Sequence, residues 1–248
     1  MRSGDVLRRP SSPYSVSIRA FLHAIADAGF EGASVPIGTS EAGVDSFRYV
    51  AGDVPVPPYP SWAQTDAILS SAAELLSAFH AASRSFEAMG LDWSAELADP
   101  AGGTIVCHND VCLENIVFRD GKAVVLIDFD FAAPGRPLYD LARFARLCVP
   151  LDDDVNASRL GWIATTTERI ARCRLVCDAY GLSVDERQEL LRILDVEMAQ
   201  AGDFVRARVE AGDLNFIAMW DAMGGVQRYE RLQRWWHANR AGLASVLS

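Results

Sequence analysis

His108, Asp110 and Asn115 stand at fixed offsets in the stretch HNDVCLENIVF, and Asp128 and Asp130 follow in LIDFD. An imidazole, carboxylates and an amide oxygen are groups that orient and deprotonate a hydroxyl, or that hold a hard divalent cation. Whether they can act together depends on the chain between them. NIVF (115–118) and AVVLID (123–128) read as strands, and the Asp120–Gly121 pair between them is a strong two-residue hairpin signal. With that turn, Arg119 faces Lys122 and Asn115 lies opposite Leu126. Asp128 then projects to the same side as Asn115, diagonally across the ladder. TIVC (104–107) is a short apolar strand that delivers the chain into the loop carrying His108 and Asp110. The hairpin thus gathers acidic and amide oxygens at its open end, within reach of a common ion, as a metal–nucleotide site requires.

The 248 residues fit one large domain or two lobes sharing an interface. Half are hydrophobic and 23% are charged, which allows a packed core and argues against disorder. A net charge of −10 argues against duplex binding, so no nucleic-acid partner is expected. It leaves room for a small anion in a local basic pocket, and suits a cationic substrate. No apolar run reaches the ~20 residues of a membrane span, and the first residues lack a signal-peptide pattern. Cys107, Cys112, Cys148, Cys173 and Cys177 form no CxxC pair. They read as reduced thiols of a cytoplasmic protein, with Cys173 and Cys177 on one helix face.

Upstream, DVLRR (5–9) reads as a strand ending at Pro10, and residues 15–30 as a helix with Ile18, Phe21, Leu22 and Ile25 inward. ASVPIG and DSFRYVAG follow as two strands around a Glu41–Gly43 turn. Four of the eight residues from Asp53 to Pro60 are proline, which marks a linker. A first domain over 1–55 and a mostly helical second one over 56–248 are expected. In the second, Ile68, Ala72, Leu75, Leu76 and Phe79 stripe a core helix, and His80 beside them reads as a helix-end or surface residue. Ser183 and Glu186 have capping-box spacing, and Trp235 and Trp236 read as packing aromatics.

The ordered set HNDVCLEN, LIDFDFAAPG and YDLARF resembles the aminoglycoside phosphotransferase and choline kinase-like family, within the protein-kinase-like fold. There the loop usually reads H-G-D-x-x-x-x-N, followed by I-D and D-L-A. The resemblance covers roughly residues 60 to 248 and is best between 104 and 146. A nearer subgroup is bacterial phosphotransferase-like chains with RRP near the start, some labelled trifolitoxin immunity. The resemblance implies an α+β, two-lobed fold with a truncated first lobe and a helical second lobe carrying the catalytic hairpin. It implies an ATP-dependent phosphotransferase using Mg²⁺ and acting on a hydroxyl of a small molecule or peptide. Asp110 would be the base and His108 the brace of its loop. Asn115 and Asp128 would hold Mg²⁺, Asp140 would anchor the loop from the helix beneath, and Asp130 would either join the metal or face solvent. Arg8 matches the cation that meets the nucleotide phosphates, with Arg9 pointing the other way.

Two departures qualify that picture. The family's first two strands have no counterpart and no GxGxxG occurs, so the nucleotide lacks a lid. The helix after Arg8 supplies no Glu partner, holding only Asp27 at its far end. These features fit a second reading, a catalytically degenerate binding protein such as a bacteriocin or peptide immunity or biosynthesis accessory factor. A zinc-type phosphohydrolase is disfavoured: there are four His, and three of them fall in expected helices. Asp195, Glu197, Asp203 and Asp221 on the later helices are candidates to attract an amine.

Overall fold

A computed structural model describes residues 2–40 and 43–248, and no side chains of residues 1–3. Glu41 and Ala42 of the expected Glu41–Gly43 turn lie outside the described residues. The first lobe is an antiparallel sheet with one helix. Strands β1 (Arg2–Ser3) and β2 (Val6–Pro10) precede α1 (Ser15–Asp27), and β3 (Pro36–Thr39) and β4 (Val44–Arg48) follow, in the order β1-β2-β4-β3. Helix α1 forms because Ile18, Phe21, Leu22 and Ile25 recur at helical spacing, and all four are buried. The Phe21 ring meets Phe79, Phe86 and Trp93 edge-on.

The second lobe starts from α2 (Asp66–Ser83), whose N-terminus is capped by the Thr65 hydroxyl accepting from the Ile68 amide. Strand β5 (Ile105–Cys107), the hairpin β6 (Ile116–Arg119) and β7 (Lys122–Leu126), and β8 (Ala133–Gly135) lie over it. Helices α3 (Pro137–Cys148), α4 (Asp154–Arg159), α5 (Thr166–Tyr180) and α6 (Val184–Gln200) come next. Helices α7 (Asp203–Glu210), α8 (Leu214–Met223) and α9 (Gly225–Leu247) close the chain. The expected capping box at Ser183–Glu186 is present, and Thr165–Glu168 forms another. Trp235 and Trp236 are buried, as their packing role requires.

The hairpin joins the lobes. The Ser34 amide donates to the Leu126 carbonyl and the Leu126 amide to that of Gly32. On its other edge, Asp53 and Phe118 exchange two backbone hydrogen bonds of 2.8 Å each. The proline-rich segment expected to be a linker is therefore strapped down: the Tyr59 amide donates to Leu160 O, and its hydroxyl to Glu114. The hairpin register differs from expectation. Arg119 does face Lys122, but β7 bulges beside Val117 and Phe118, so Ile116 rather than Asn115 pairs with Leu126. One extra residue shifts the ladder by one, and Asn115 instead accepts from the Ile127 amide at 2.9 Å.

Candidate active site

The loop after β5 is held from below. Asp140, on the first turn of α3, is fully buried. Its Oδ2 accepts from the His108 amide at 2.7 Å and its Oδ1 from the Asn109 amide at 2.9 Å. His80 Nε2 lies 3.0 Å from Oδ2. Burial alone would raise the Asp140 carboxyl, but the His80 and His108 contacts hold it below the usual carboxylate range. With Asp140 ionised, His80 Nε2 donates to it, and the Tyr180 hydroxyl, 2.6 Å from Nδ1, donates to His80. His80 does sit in the last turn of α2, as expected, but not on the surface: it is 1% exposed and ties α2 to the loop. Its stripe position gave no hint, because the partner lies 60 residues away. His80, Cys107 and Asp140 are close enough to hold a metal. Both imidazole nitrogens and both carboxylate oxygens already have hydrogen-bond partners, so this cluster is a brace rather than a metal site.

His108 is likewise buried. Its Nε2 donates to the Ile127 carbonyl at 2.9 Å, which leaves Nδ1 to accept from the Asp110 amide at 3.3 Å. The imidazole spans the loop and the end of the hairpin, and its ring packs 4.6 Å from that of Phe129. Asn109 occupies the left-handed region at φ 62°, where glycine or asparagine is tolerated. That explains why Asn stands where the resembling loop carries Gly. Its side-chain amide also donates to the Phe131 carbonyl at 3.0 Å.

Asp110 and Asn115 are coupled directly. Asn115 Nδ2 donates to Asp110 O at 2.9 Å and to Asp110 Oδ2 at 3.0 Å. Burial pushes the Asp110 carboxyl above its ordinary value, against the opposing pull of His108 and Arg143. A raised carboxylate is a better proton acceptor. Asn115 and Asp128 line one cleft of about 260 Å³ together with Leu7, Arg9, Ser34 and Phe47. Asp128 is held at φ 63°, so it departs from the strand alternation of β7.

The cation in this cleft is Arg9, not Arg8. Arg9 Nη1 lies 2.6 Å from Asp128 Oδ1 and Nη2 lies 2.6 Å from Asp130 Oδ1, with the guanidinium 5.0 Å from the Phe47 ring centroid. Arg8 is exposed and lies outside the cleft lining, because alternation along β2 turns Leu7 and Arg9 inward instead. The cleft therefore holds Arg9 where the motif match placed Arg8, and the pairing of Arg9 with Asp45 across β4 fixes the face. Helix α1 offers no carboxylate here. Its Arg19 instead donates at 2.9 Å to Asp45, a buried carboxylate that also accepts from Ser15 and from Thr39. Burial opposes ionisation of Asp45, but those hydrogen bonds hold it below the ordinary value.

On the other side of the loop, Asp110 opens onto a cavity of about 590 Å³. Phe131, Phe204, Phe216 and Met219 contribute apolar wall, and Arg143, Arg146, Arg159 and Arg228 contribute guanidinium groups. The four acidic residues expected to attract an amine are absent from this lining. Asp195 pairs with Arg240 and Glu197 with Arg146, while Asp203 lies in a neighbouring cleft and Asp221 is exposed.

A two-lobed α+β body with a helical second lobe and a hairpin-borne His-x-Asp-x₄-Asn loop defines the protein-kinase-like fold. The chain belongs to the phosphotransferase enzyme family. The model of that family matches residues 86–173. The trifolitoxin immunity protein of Rhizobium leguminosarum bv. trifolii is 32% identical over 192 residues, 75% of this chain and 71% of that relative. The aminoglycoside phosphotransferase of Alicyclobacillus acidocaldarius superposes with a TM-score of 0.60 at 16% identity, over 100% of this chain and 91% of that one. Aminoglycoside 2'-phosphotransferase-IIIa, solved with GDP, superposes with a TM-score of 0.55 at 15% identity, covering 95% and 87%. Among the described residues, no helix is long and apolar enough to cross a membrane.

Proposed function

We propose that this chain transfers the γ-phosphoryl group of ATP to a hydroxyl of a small molecule or peptide. One observation carries the reading: the Asp110–Asn115 hydrogen bond is the seam between two cavities. Asn115 and Asp128 face the cleft between the lobes, and Asp110 faces the cavity under α7 and α8. A donor nucleotide in the first and an acceptor in the second would meet at this seam. The acceptor oxygen bonds to the γ-phosphorus, and its proton passes to Asp110. The bond from that phosphorus to the bridging oxygen breaks, and ADP leaves with the electron pair.

The donor set suits Mg²⁺. Asn115 has committed Nδ2 to Asp110, which leaves Oδ1 for a cation, and Asp128 and Asp130 add carboxylate oxygens. Mg²⁺ bound there neutralises phosphate charge. Arg9, now paired with both carboxylates, is the cation that would move onto the nucleotide phosphates. Calorimetric titration with Mg-ATP tests the reading, with Asp128→Asn alongside. Binding in the micromolar range that the variant loses is the expected result, and no binding to the wild type overturns it.

A second reading, a binding protein without turnover, is favoured by one feature. The Arg9 guanidinium is already clamped between Asp128 and Asp130, which a nucleotide must undo. Under that reading Mg-ATP gives no thermal shift, and trifolitoxin, for which the relative is named an immunity protein, does give one.

A further inference from the structure

The cavity beside Asp110 is built for a ligand unlike a polycation. The whole chain carries −10, yet four arginines line this wall against two carboxylates, Asp110 and Asp152. Part of that charge is neutralised from behind. Arg146 Nε lies 2.8 Å from Glu197, and Arg228 sits between Asp152 and Asp153. Two guanidinium groups keep capacity in hand. Arg143 is buried at 8% exposure, touches Glu197 only at 3.5 Å and also meets the Tyr139 hydroxyl, and among the described residues its Nε has no hydrogen-bond partner. Arg159, exposed at the mouth, is held by the neutral Asn156 Oδ1 at 3.2 and 3.3 Å and by no carboxylate among the described residues. A buried guanidinium nitrogen without an acceptor costs free energy, and a bound carboxylate relieves it.

The rest of the wall is apolar. Phe204 stands edge-on to both Phe131 and Phe216, with centroids 5.4 Å apart in each pair, and Met219 and Met223 extend the surface. Helix α8, LNFIAMWDAM, is strongly apolar, yet none of its residues is fully buried by the protein itself. A cavity of about 590 Å³ falls in the range of small-molecule sites.

We propose that the acceptor is an amphipathic hydroxy acid. Its apolar body lies on Phe131, Phe204, Phe216 and Met219, its carboxylate on Arg143 and Arg159, and its hydroxyl against Asp110. This rests on the phosphotransfer reading for the fate of the hydroxyl, but the binding preference stands apart from it. A multiply charged amine would meet guanidinium groups on the same wall and be repelled.

The test uses the full chain and three probes: N-octanoyl-L-serine, its neutral amide, and kanamycin as a polycation. Calorimetry should show the acid binding about tenfold more tightly than the amide. Kanamycin should bind more weakly than either. Arg159→Gln, at an exposed position that folding does not require, should erase most of the preference for the acid. Arg143→Gln should do the same, provided circular dichroism shows it folded. Equal binding of acid and amide, or tighter binding of kanamycin, overturns the proposal. Mg-ATP is titrated in parallel. If it fails to bind while the acid preference holds, the phosphotransfer reading falls and the ligand class stands. If it binds and the preference is missing, only the ligand class falls.

Discussion

Asn115 Nδ2 donates to the backbone carbonyl and to the side-chain Oδ2 of Asp110. One amide thereby fixes the carboxylate's direction, and Asn115 itself lines the opposite cleft. Under the proposed function the two residues have separable roles. Asp110→Asn should lower turnover by about 10²- to 10⁴-fold while Mg-ATP affinity stays within a few-fold. Asn115→Ala should impair both. Single-turnover rates and calorimetry on the same preparations distinguish them.

The pH response should split in two. Asp110 lies above its ordinary value because of burial, and it must be ionised to accept a proton. The acidic limb of the turnover profile should therefore fall above the normal carboxylate range. Asp140 and Asp45 are displaced the other way. A depressed carboxylate contributes stability that is full above its unfolded value and is lost as pH falls through its folded one. Acid unfolding, followed by circular dichroism, should therefore begin at a lower pH than the loss of turnover.

Arg9 and Arg8 adjoin in sequence but face apart. Arg9→Gln should weaken Mg-ATP binding by about ten- to a hundredfold, the loss of charge-assisted hydrogen bonds to phosphate. Arg8→Gln should leave it within about twofold. Titration of both variants decides between the two positions, and equal losses would remove Arg9 from the phosphate role.

His80→Leu should destabilise the fold by about 1–3 kcal/mol, since it strips one donor from the buried Asp140 and an acceptor from Tyr180. Urea unfolding measures the loss. Nucleotide affinity, which depends on the far side of the loop, should change less than stability.

Asn109 makes a finer test. At φ 62° a glycine fits the backbone, so Asn109→Gly should cost only the side-chain hydrogen bond to Phe131, about 1 kcal/mol. Asn109→Val, a β-branched residue in the left-handed region, should cost about 1–3 kcal/mol. The difference in urea midpoints reads the backbone constraint directly.

Much of this was legible in the chain itself. Helical spacing located α1, α2 and α6, the Asp120–Gly121 pair located the hairpin, and the order of motifs located the fold. The misses have physical causes. A bulge in β7 leaves no mark in its composition, so the register of Asn115 was off by one. Strand phase decided between Arg8 and Arg9, and phase comes from cross-strand pairing that a five-residue strand does not encode. The role of His80 and the arginine wall beside Asp110 are long-range. They join α2 to α3, and α3 and α4 to α7, α8 and α9, and no local window contains them.

Helices α7 and α8 contain no fully buried residue, whereas the Asp140 brace beneath the loop is sealed. Substitutions in those two helices therefore carry little folding penalty. Under the proposed function, a lineage can rewrite what it recognises there while leaving the phosphate-handling half untouched, so closely related chains are free to diverge in ligand before they diverge in chemistry.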